Sequence, residues 1–129
     1  WHRKDNLFSG IYGERRVFDP ELEEAIGHAI GKETRAFGGN LLPESALTFR
    51  TILDGAEARD YGEESFAIGQ MGAALVRGVQ DEDVMACVKH FAFNQRKNAR
   101  FKVSVYADKR TEREVFLPHF KDCVDAGAA

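Results

Sequence analysis

The sequence predicts an α/β fold built on a parallel sheet, and three observations support this class. An apolar run at 84–88 is typical of a strand that is buried on both faces. Two longer segments before it, and one after it, carry apolar residues at helical spacing. Helices that alternate with a strand at these distances are typical of βα units, in which the sheet is parallel.

A first helix is predicted from Asp19 to about Phe37. Asp19 is a favoured N-cap residue and Pro20 a favoured first residue of a helix, while two glycines at 38–39 end it. Residues 1–18 form an irregular, polar lead-in. The apolar residues that share one face of this helix are Leu22, Ile26, Ala29, Ile30 and Phe37.

A second helix is predicted from about Ser65 to Gln80, followed by a strand over 84–91. Glu63 and Glu64 lie at the start of this helix, where negative charge interacts favourably with the helix dipole. We therefore interpret them as helix-stabilising residues rather than as a paired acid/base site. The apolar residues at helical spacing are Ile68, Met71, Leu75 and Val79.

A final helix is predicted over about 109–125, with Asp108 as its N-cap. Pro118 should kink this helix or remove one of its hydrogen bonds. Residues 103–106 alternate like a short extended segment, whereas 40–60 show no pattern that we assign to an element. The residues expected to face inward from the helix are Phe116, Phe120, Cys123 and Val124.

A lysine and a histidine, Lys89 and His90, stand together at the C-terminal end of the predicted strand. In α/β folds, ligands bind at that end of the sheet. A lysine buried there is costly unless a polar or anionic group receives it. On composition alone we favour a structural role, with the lysine paired to a carboxylate and the histidine hydrogen-bonded in the core.

A longer series of motifs favours a functional role for Lys89 and His90 instead. It runs Val-Met-Ala-Cys-Val-Lys-His-Phe-Ala-Phe-Asn at 84–94, Asn-Ala-Arg-Phe at 98–101 and Glu-Val-Phe-Leu-Pro-His-Phe at 114–120. This string closely resembles the N-terminal catalytic domain of family 3 glycoside hydrolases, the β-glucosidase family. The Lys-His-Phe and Leu-Pro-His-Phe pieces are specific in combination and weak singly.

Segments further upstream extend the resemblance over most of the chain, from about Val17 onward. Residues 18–22 and 29–36 are similar to the early helix of the same family. Tyr-Gly-Glu-Glu at 61–64 and the small residues at 69–74 are similar to its next helix.

The resemblance implies a (β/α)8 TIM barrel, with parallel strands inside and helices outside. Such a barrel needs roughly 250 residues. The 129 residues of this chain are therefore expected to form a portion of it. We assign residues 1–129 to a partial N-terminal barrel domain of this family, with 1–18 as the lead-in.

The chemistry that the resemblance implies is retaining hydrolysis of terminal β-D-glucosyl residues by a pair of carboxyl groups. In the family, the nucleophile and the acid/base lie beyond the point that matches Ala129. We therefore assign no catalytic residue within this chain. The expected substrate is a β-glucoside or an oligosaccharide, and no cofactor is implied.

The family's Lys-His pair holds hydroxyls of the sugar next to the scissile bond, and it corresponds here to Lys89 and His90. A carboxylate is expected beside Lys89, so that the two groups clamp one hydroxyl as donor and acceptor. Asn94 and Arg100 follow the strand on the face of the barrel that carries active-site loops. We predict that these four residues bind substrate, with loop bracing as the alternative for Asn94 and Arg100.

The sequence departs from the family pattern at the rim of this site. The loop before the second helix normally carries a substrate-binding Arg and then a Glu, but Ala56 and Arg59 stand at those positions. Arg50 could replace the missing arginine if the loop is longer. Lys97 stands where the family often has an acidic residue. These local charge reversals are expected to affect substrate affinity.

The remaining candidates have structural interpretations. His119, next to Pro118, is expected to be structural, and His28 is expected to be solvated. Phe91, Phe93 and Phe101 could stack on sugar, although core packing is the more common role of aromatic residues at such positions.

Charge and composition exclude several other classes. The net charge of −3 argues against a nucleic-acid partner, which usually shows a basic stripe. No apolar run approaches the roughly 20 residues of a membrane span, so no membrane partner is expected. The cysteines and histidines show no spacing typical of a metal site. Reduced thiols are favoured for Cys87 and Cys123, and a disulfide is the alternative.

Two functional hypotheses follow. The first is a segment of a β-glucosidase-type hydrolase whose catalytic carboxylates are supplied from outside this chain. The alternative is a noncatalytic, truncated or recombined half-barrel that binds sugar weakly or only self-associates. A half-barrel leaves its outer strands unpaired, and exposed strand edges favour a homo-oligomer.

Overall fold

The computed structural model describes residues 18–46, 61–94, 99 and 101–129. Within them the chain alternates helices and strands. The elements are α1 (Pro20–Ala36), β1 (Leu41–Ala46), α2 (Ser65–Gln80), β2 (Met85–Lys89), the helical turn α3 (Lys109–Thr111), a π-helical segment (Glu112–Phe116) and α4 (Pro118–Asp125).

Helix α1 begins and ends close to its predicted bounds. The side chain of Asp19 accepts a hydrogen bond from the backbone N of Leu22 at 3.0 Å, which confirms the predicted N-cap. At the other end, Gly38 takes the left-handed backbone conformation (φ +81°) that commonly terminates a helix.

The buried face of α1 differs from the predicted one. Glu23, Gly27 and Gly31 are its buried residues, whereas Leu22 and Phe37 are exposed. The reason is the close approach of α2. A Cβ placed on Gly27 would lie 2.7 Å from the carbonyl O of Leu75. The glycines of α1 therefore bring it onto α2, while Ile30 of the predicted apolar face still packs against the core.

The two strands pair in parallel, with Leu41 opposite Met85 and Ala46 opposite Lys89. Strand β1 falls in the stretch to which the sequence assigned no element. Its pairing is irregular between Leu42 and Ser45, at the point where a proline removes one backbone donor. β1, α2 and β2 thus form a βαβ unit. β2 is shorter than the predicted 84–91.

Helix α2 lies at the centre of the described structure. It packs against α1, α4 and both strands, and its predicted bounds and apolar positions are confirmed. The side chain of Glu64 caps it by accepting hydrogen bonds from the backbone N of Phe66 and Ala67, which confirms a helix-stabilising role for this residue of the acidic pair. The buried core comprises Tyr61, Ile68, Met71, Leu75, Val76, Val79, Val84, Ala86, Phe120 and Cys123.

The last helical region is interrupted where the sequence predicts a disturbance. The π-helical segment ends at Phe116, and Pro118 then starts α4 as its first residue. Cys123 is buried as expected, but Val124 is 60% exposed, which corrects its predicted orientation. Residues 103–106 pair with no strand in the described part of the chain and are exposed. Among the helices that the structure describes, none has both the length and the apolar character needed to cross a bilayer.

Candidate functional site

The parallel pairing of β1 and β2 brings their C-terminal ends to one edge of the sheet. Lys89 is the last residue of β2 and lies opposite Ala46, the last residue of β1. His90 follows directly, so the Lys-His pair stands at the edge where parallel α/β sheets bind ligands. Both side chains are half-buried.

The segment after β2, residues 90–94, has an irregular backbone. The Lys89–His90 and Phe91–Ala92 peptide bonds are cis. Phe93 has φ +63°, in the left-handed region that a bulky residue rarely adopts. Such a conformation costs of order 1–3 kcal/mol and persists only where surrounding contacts hold it. Asn94, half-buried, closes the segment.

Two aromatic contacts join this segment to the last helical region. The rings of Phe91 and Phe120 meet edge to face, with centroids 5.1 Å apart at 83°. The rings of Phe93 and Phe116 are tilted at 49°, with centroids 4.8 Å apart. The fold thus brings together two motifs that are about twenty residues apart in the sequence.

The other aromatic and histidine candidates are placed differently. Phe91 and Phe93 pack against other rings, although Phe91 remains 72% exposed. Phe101 is 88% exposed, so the prediction of core packing is wrong for it and for the largely exposed Phe91. His119 is buried, with its ring centroid 4.5 Å from that of Phe120, as expected for a structural residue.

The expected carboxylate beside Lys89 is not among the described residues, where no ion pair involves the Lys89 ammonium. Several predicted rim residues fall outside the described part of the chain. These are Arg50, Ala56, Arg59, Lys97 and Arg100. Their predicted roles stay predictions.

A charged cluster lies at the opposite edge of the sheet, before β2. Nδ1 of His28 is 2.9 Å from Oε1 of Glu82, and its Nε2 is 3.6 Å from Oδ2 of Asp81. The hydrogen bond with His28 and the nearby Lys32 ammonium hold the pKa of Glu82 below its ordinary value. The expectation that His28 is simply solvated is therefore wrong. This cluster joins α1 to the α2–β2 turn, at the face of a (β/α)8 barrel that serves stability.

One buried polar pair was missed by the sequence reasoning. The Tyr61 hydroxyl donates a hydrogen bond to Oε1 of Glu23, and both residues are buried. This bond joins Tyr61, four residues before the start of α2, to α1. The only signal in the sequence was the Tyr61 of the Tyr-Gly-Glu-Glu motif, since nothing local marks Glu23 as buried.

Neither cysteine forms a disulfide. Cys123 is a buried free thiol, and Cys87 is a half-buried one, so the alternative of a disulfide is wrong. Burial raises the pKa of Cys123 to about 12. The described residues contain no group of three His, Cys, Asp or Glu side chains that could hold a metal ion.

Comparisons with known proteins identify what this arrangement is similar to. Residues 13–129 match the profile of the glycosyl hydrolase family 3 N terminal domain. Thermostable beta-glucosidase B of Acetivibrio thermocellus is 34% identical over 118 residues, which cover 91% of this chain and 16% of that protein. A beta-glucosidase of Rhizobium radiobacter is 34% identical over 109 residues, covering 84% of this chain and 13% of that protein.

Solved structures give the same result. The chain superposes on beta-glucosidase 3B of Thermotoga neapolitana in complex with glucose, with a TM-score of 0.81, 32% identity, and coverage of 88% of this chain and 16% of that one. For a family 3 beta-glucosidase of Bifidobacterium adolescentis the TM-score is 0.85, with 26% identity and coverage of 91% and 18%. These superpositions confirm the predicted fold, a portion of a (β/α)8 barrel with parallel strands and outer helices. The chain thus spans less than a fifth of the length of these relatives.

Proposed function

This chain belongs to family 3 of the glycosyl hydrolases, and we therefore propose that it supplies part of the sugar-binding site of a β-glucosidase. The reaction is retaining hydrolysis of terminal β-D-glucosyl residues. One carboxylate attacks the anomeric carbon and a second carboxyl group protonates the leaving oxygen, and both come from outside these 129 residues. The residues present here bind and orient the sugar.

In this proposal Lys89 and His90 donate hydrogen bonds to hydroxyls of the glucosyl residue next to the scissile bond. The observation that supports it is the strand register, which puts Lys89 opposite Ala46 at the C-terminal sheet edge. The Lys89 side chain is half-buried, and a cation that is partly withdrawn from water needs a polar partner. No ion pair in the described part of the chain involves Lys89, and in this proposal a sugar hydroxyl serves as its polar partner.

Hydrogen bonds at these positions serve catalysis if they strengthen as the sugar ring acquires oxocarbenium character. Binding that is equally strong in the ground state would lower KM without raising kcat. A sugar hydroxyl that is held by a cation becomes a better hydrogen-bond donor to a second group, and it can thus respond to charge that develops on the ring. Asn94 and Arg100 extend the same site along the loop after β2.

The test is glucose binding by the purified chain and its Lys89→Met variant, followed by amide chemical shifts in an NMR titration. Methionine keeps the apolar stem and removes the ammonium. A hydrogen bond from a charged group contributes about 1.5–3 kcal/mol, so we expect binding to weaken at least tenfold. Lys121→Met is the matched control, since this exposed lysine lies on α4 and pairs with Asp125.

Unchanged glucose binding in Lys89→Met would contradict the proposal. A large fall in the urea midpoint of that variant would instead show that Lys89 is a structural ion-pair partner. Hydrolysis of an aryl β-glucoside by this chain alone would show that one of its own carboxylates is catalytic, and our assignment of roles would then be wrong.

A second candidate function is a noncatalytic half-barrel that self-associates. It is supported by the sheet, because the described residues contain two strands that pair only with each other and leave both outer edges open. Sedimentation at several concentrations tests it. A dimer that binds no glucose favours this candidate, whereas a monomer that binds glucose contradicts it.

A further inference from the structure

We infer that Phe116 is a positioning residue for the Lys89–His90 pair, acting through the ring of Phe93. This inference rests on the proposed sugar site and deepens it, because it names a residue that acts on the site without touching sugar. It depends on three observations: the backbone of Phe93, the two aromatic contacts and the place of Phe116 in the last helical region.

The backbone of Phe93 needs an external constraint. Its φ of +63° lies where a phenylalanine is unfavourable, and a free loop would relax it toward negative φ. His90, which directly follows Lys89, is three residues away and Asn94 is adjacent, so relaxation at Phe93 would shift the segment that carries them. Phe93 lies in no regular element, and its ring contacts Phe116, so the side chain can supply the constraint.

The Phe93–Phe116 contact supplies that constraint. The ring centroids are 4.8 Å apart, within the range of favourable aromatic pairs. A second pair, Phe91 with the buried Phe120, holds the same segment two residues earlier. Because the contacts alternate along the segment, they fix both its position and its rotation over the helical region.

Phe116, the partner of Phe93 in this contact, lies in a helical region that packs on the core. Phe116 is the last residue of the π-helical segment, immediately before the break at Leu117, and Phe120 lies one turn further on in α4. α4 packs on the central helix α2, and Phe120 belongs to the core. The segment that carries His90 and Asn94 is therefore held against the core through these ring contacts.

The test is a double-mutant cycle on the full chain, read by glucose titration and by amide hydrogen exchange. Phe116→Leu keeps apolar volume and removes the ring. We expect about threefold to tenfold weaker glucose binding, the range that an aromatic pair supplies, and a similar rise in the exchange rate of amides 90–94. Exchange in α2 should not change. Phe66→Leu, an exposed phenylalanine of α2, is the control and should leave both readouts unchanged.

The double-mutant cycle repeats the Phe116→Leu substitution in a chain that already carries Phe93→Gly. Glycine adopts a positive φ without the steric penalty and has no ring for Phe116 to hold. If Phe116 acts through Phe93, Phe116→Leu should add no further loss of glucose binding in this background. The same loss in both backgrounds, or loss of protection throughout α2, would show that Phe116 only stabilises the helical region and would overturn the inference.

The outcomes separate this inference from the function on which it rests. If the wild-type chain binds no glucose, or Lys89→Met binds it normally, the proposed sugar site is wrong and the positioning role falls with it. If Lys89→Met weakens binding and Phe116→Leu does not, the sugar site stands and only the positioning role is overturned.

Discussion

Replacing Gly78 by alanine tests the close packing of α2 against α1. A Cβ at this position would lie 2.1 Å from the carbonyl O of Glu24, 2.8 Å from the backbone N of His28 and 3.0 Å from the carbonyl C of Glu24. All three are backbone atoms of α1, so no side chain can rotate out of the way. The two helices would have to separate by on the order of 1 Å to restore ordinary contact.

Two opposing terms set the size of the effect. Alanine in place of a helical glycine contributes about 1 kcal/mol in favour of folding. Overpacking of a close contact costs about 1–3 kcal/mol, and a rigid backbone obstacle places Gly78→Ala at the upper end. We therefore expect a net loss of about 2 kcal/mol in the free energy of unfolding. With a denaturant slope of about 1–2 kcal/mol per molar, the urea midpoint should fall by about 1–2 M.

Gly69→Ala is the matched control, because Gly69 is also a buried glycine of α2. Its added Cβ would meet Asp122 Oδ2 at 2.0 Å and Cγ at 2.9 Å, and both atoms move when the Asp122 side chain rotates, while Cβ of Asp122 at 3.1 Å leaves only a tight contact. The helix-propensity gain of about 1 kcal/mol offsets much of this cost, and we expect a smaller loss than in Gly78→Ala, below about 1 kcal/mol. Urea unfolding followed by circular dichroism measures both variants. An unchanged midpoint for Gly78→Ala, or equal losses in the two variants, would refute the close helix contact.

Two further predictions concern titratable groups. The hydrogen bond with His28 and the Lys32 ammonium lower the pKa of Glu82 below 4.5, so its stabilising contribution is present above that pH and is lost as pH falls through the folded-state pKa. The urea midpoints of wild type and Glu82→Gln should therefore differ most at neutral pH and approach each other as the pH falls below 4.5, and a difference that is constant with pH would contradict this. Burial raises the pKa of the Cys123 thiol to about 12. At about pH 8 a thiol reagent should therefore modify Cys87 in the native chain and Cys123 only after unfolding. Equal modification rates for the two thiols would contradict the structure.

Much of the helical structure was predictable because its signals are local. The bounds of α1 and α2 follow from capping residues, glycine stops and apolar spacing, which act within a few residues of each other. The break near Pro118 has the same local origin, since a proline lacks the backbone donor that a regular helix needs. The position of Lys89 and His90 at the C-terminal end of a strand was predictable for the same reason, although the strand is only partly buried and Met85 is exposed, which corrects the prediction of burial on both faces.

Strand β1 required the tertiary structure. Its sequence, Leu-Leu-Pro-Glu-Ser-Ala, has no strand periodicity and contains a proline, so only pairing with β2 makes it a strand. The buried face of α1 also required the tertiary structure. Its glycines allow the close approach of another helix, and they carry no hydrophobic signal of their own in the sequence.

The candidate site likewise has features that the sequence predicted and features that required the tertiary structure. The sequence by itself determined the family, through motifs whose order along the chain is that of family 3, and it predicted which residues bind sugar. Only the tertiary structure decided that Ala46 lies beside Lys89, that Phe93 and Phe91 rest on Phe116 and Phe120, and that His28 meets Glu82. These are contacts between residues far apart in the chain. Their geometry depends on how whole elements pack, which no short window of sequence encodes.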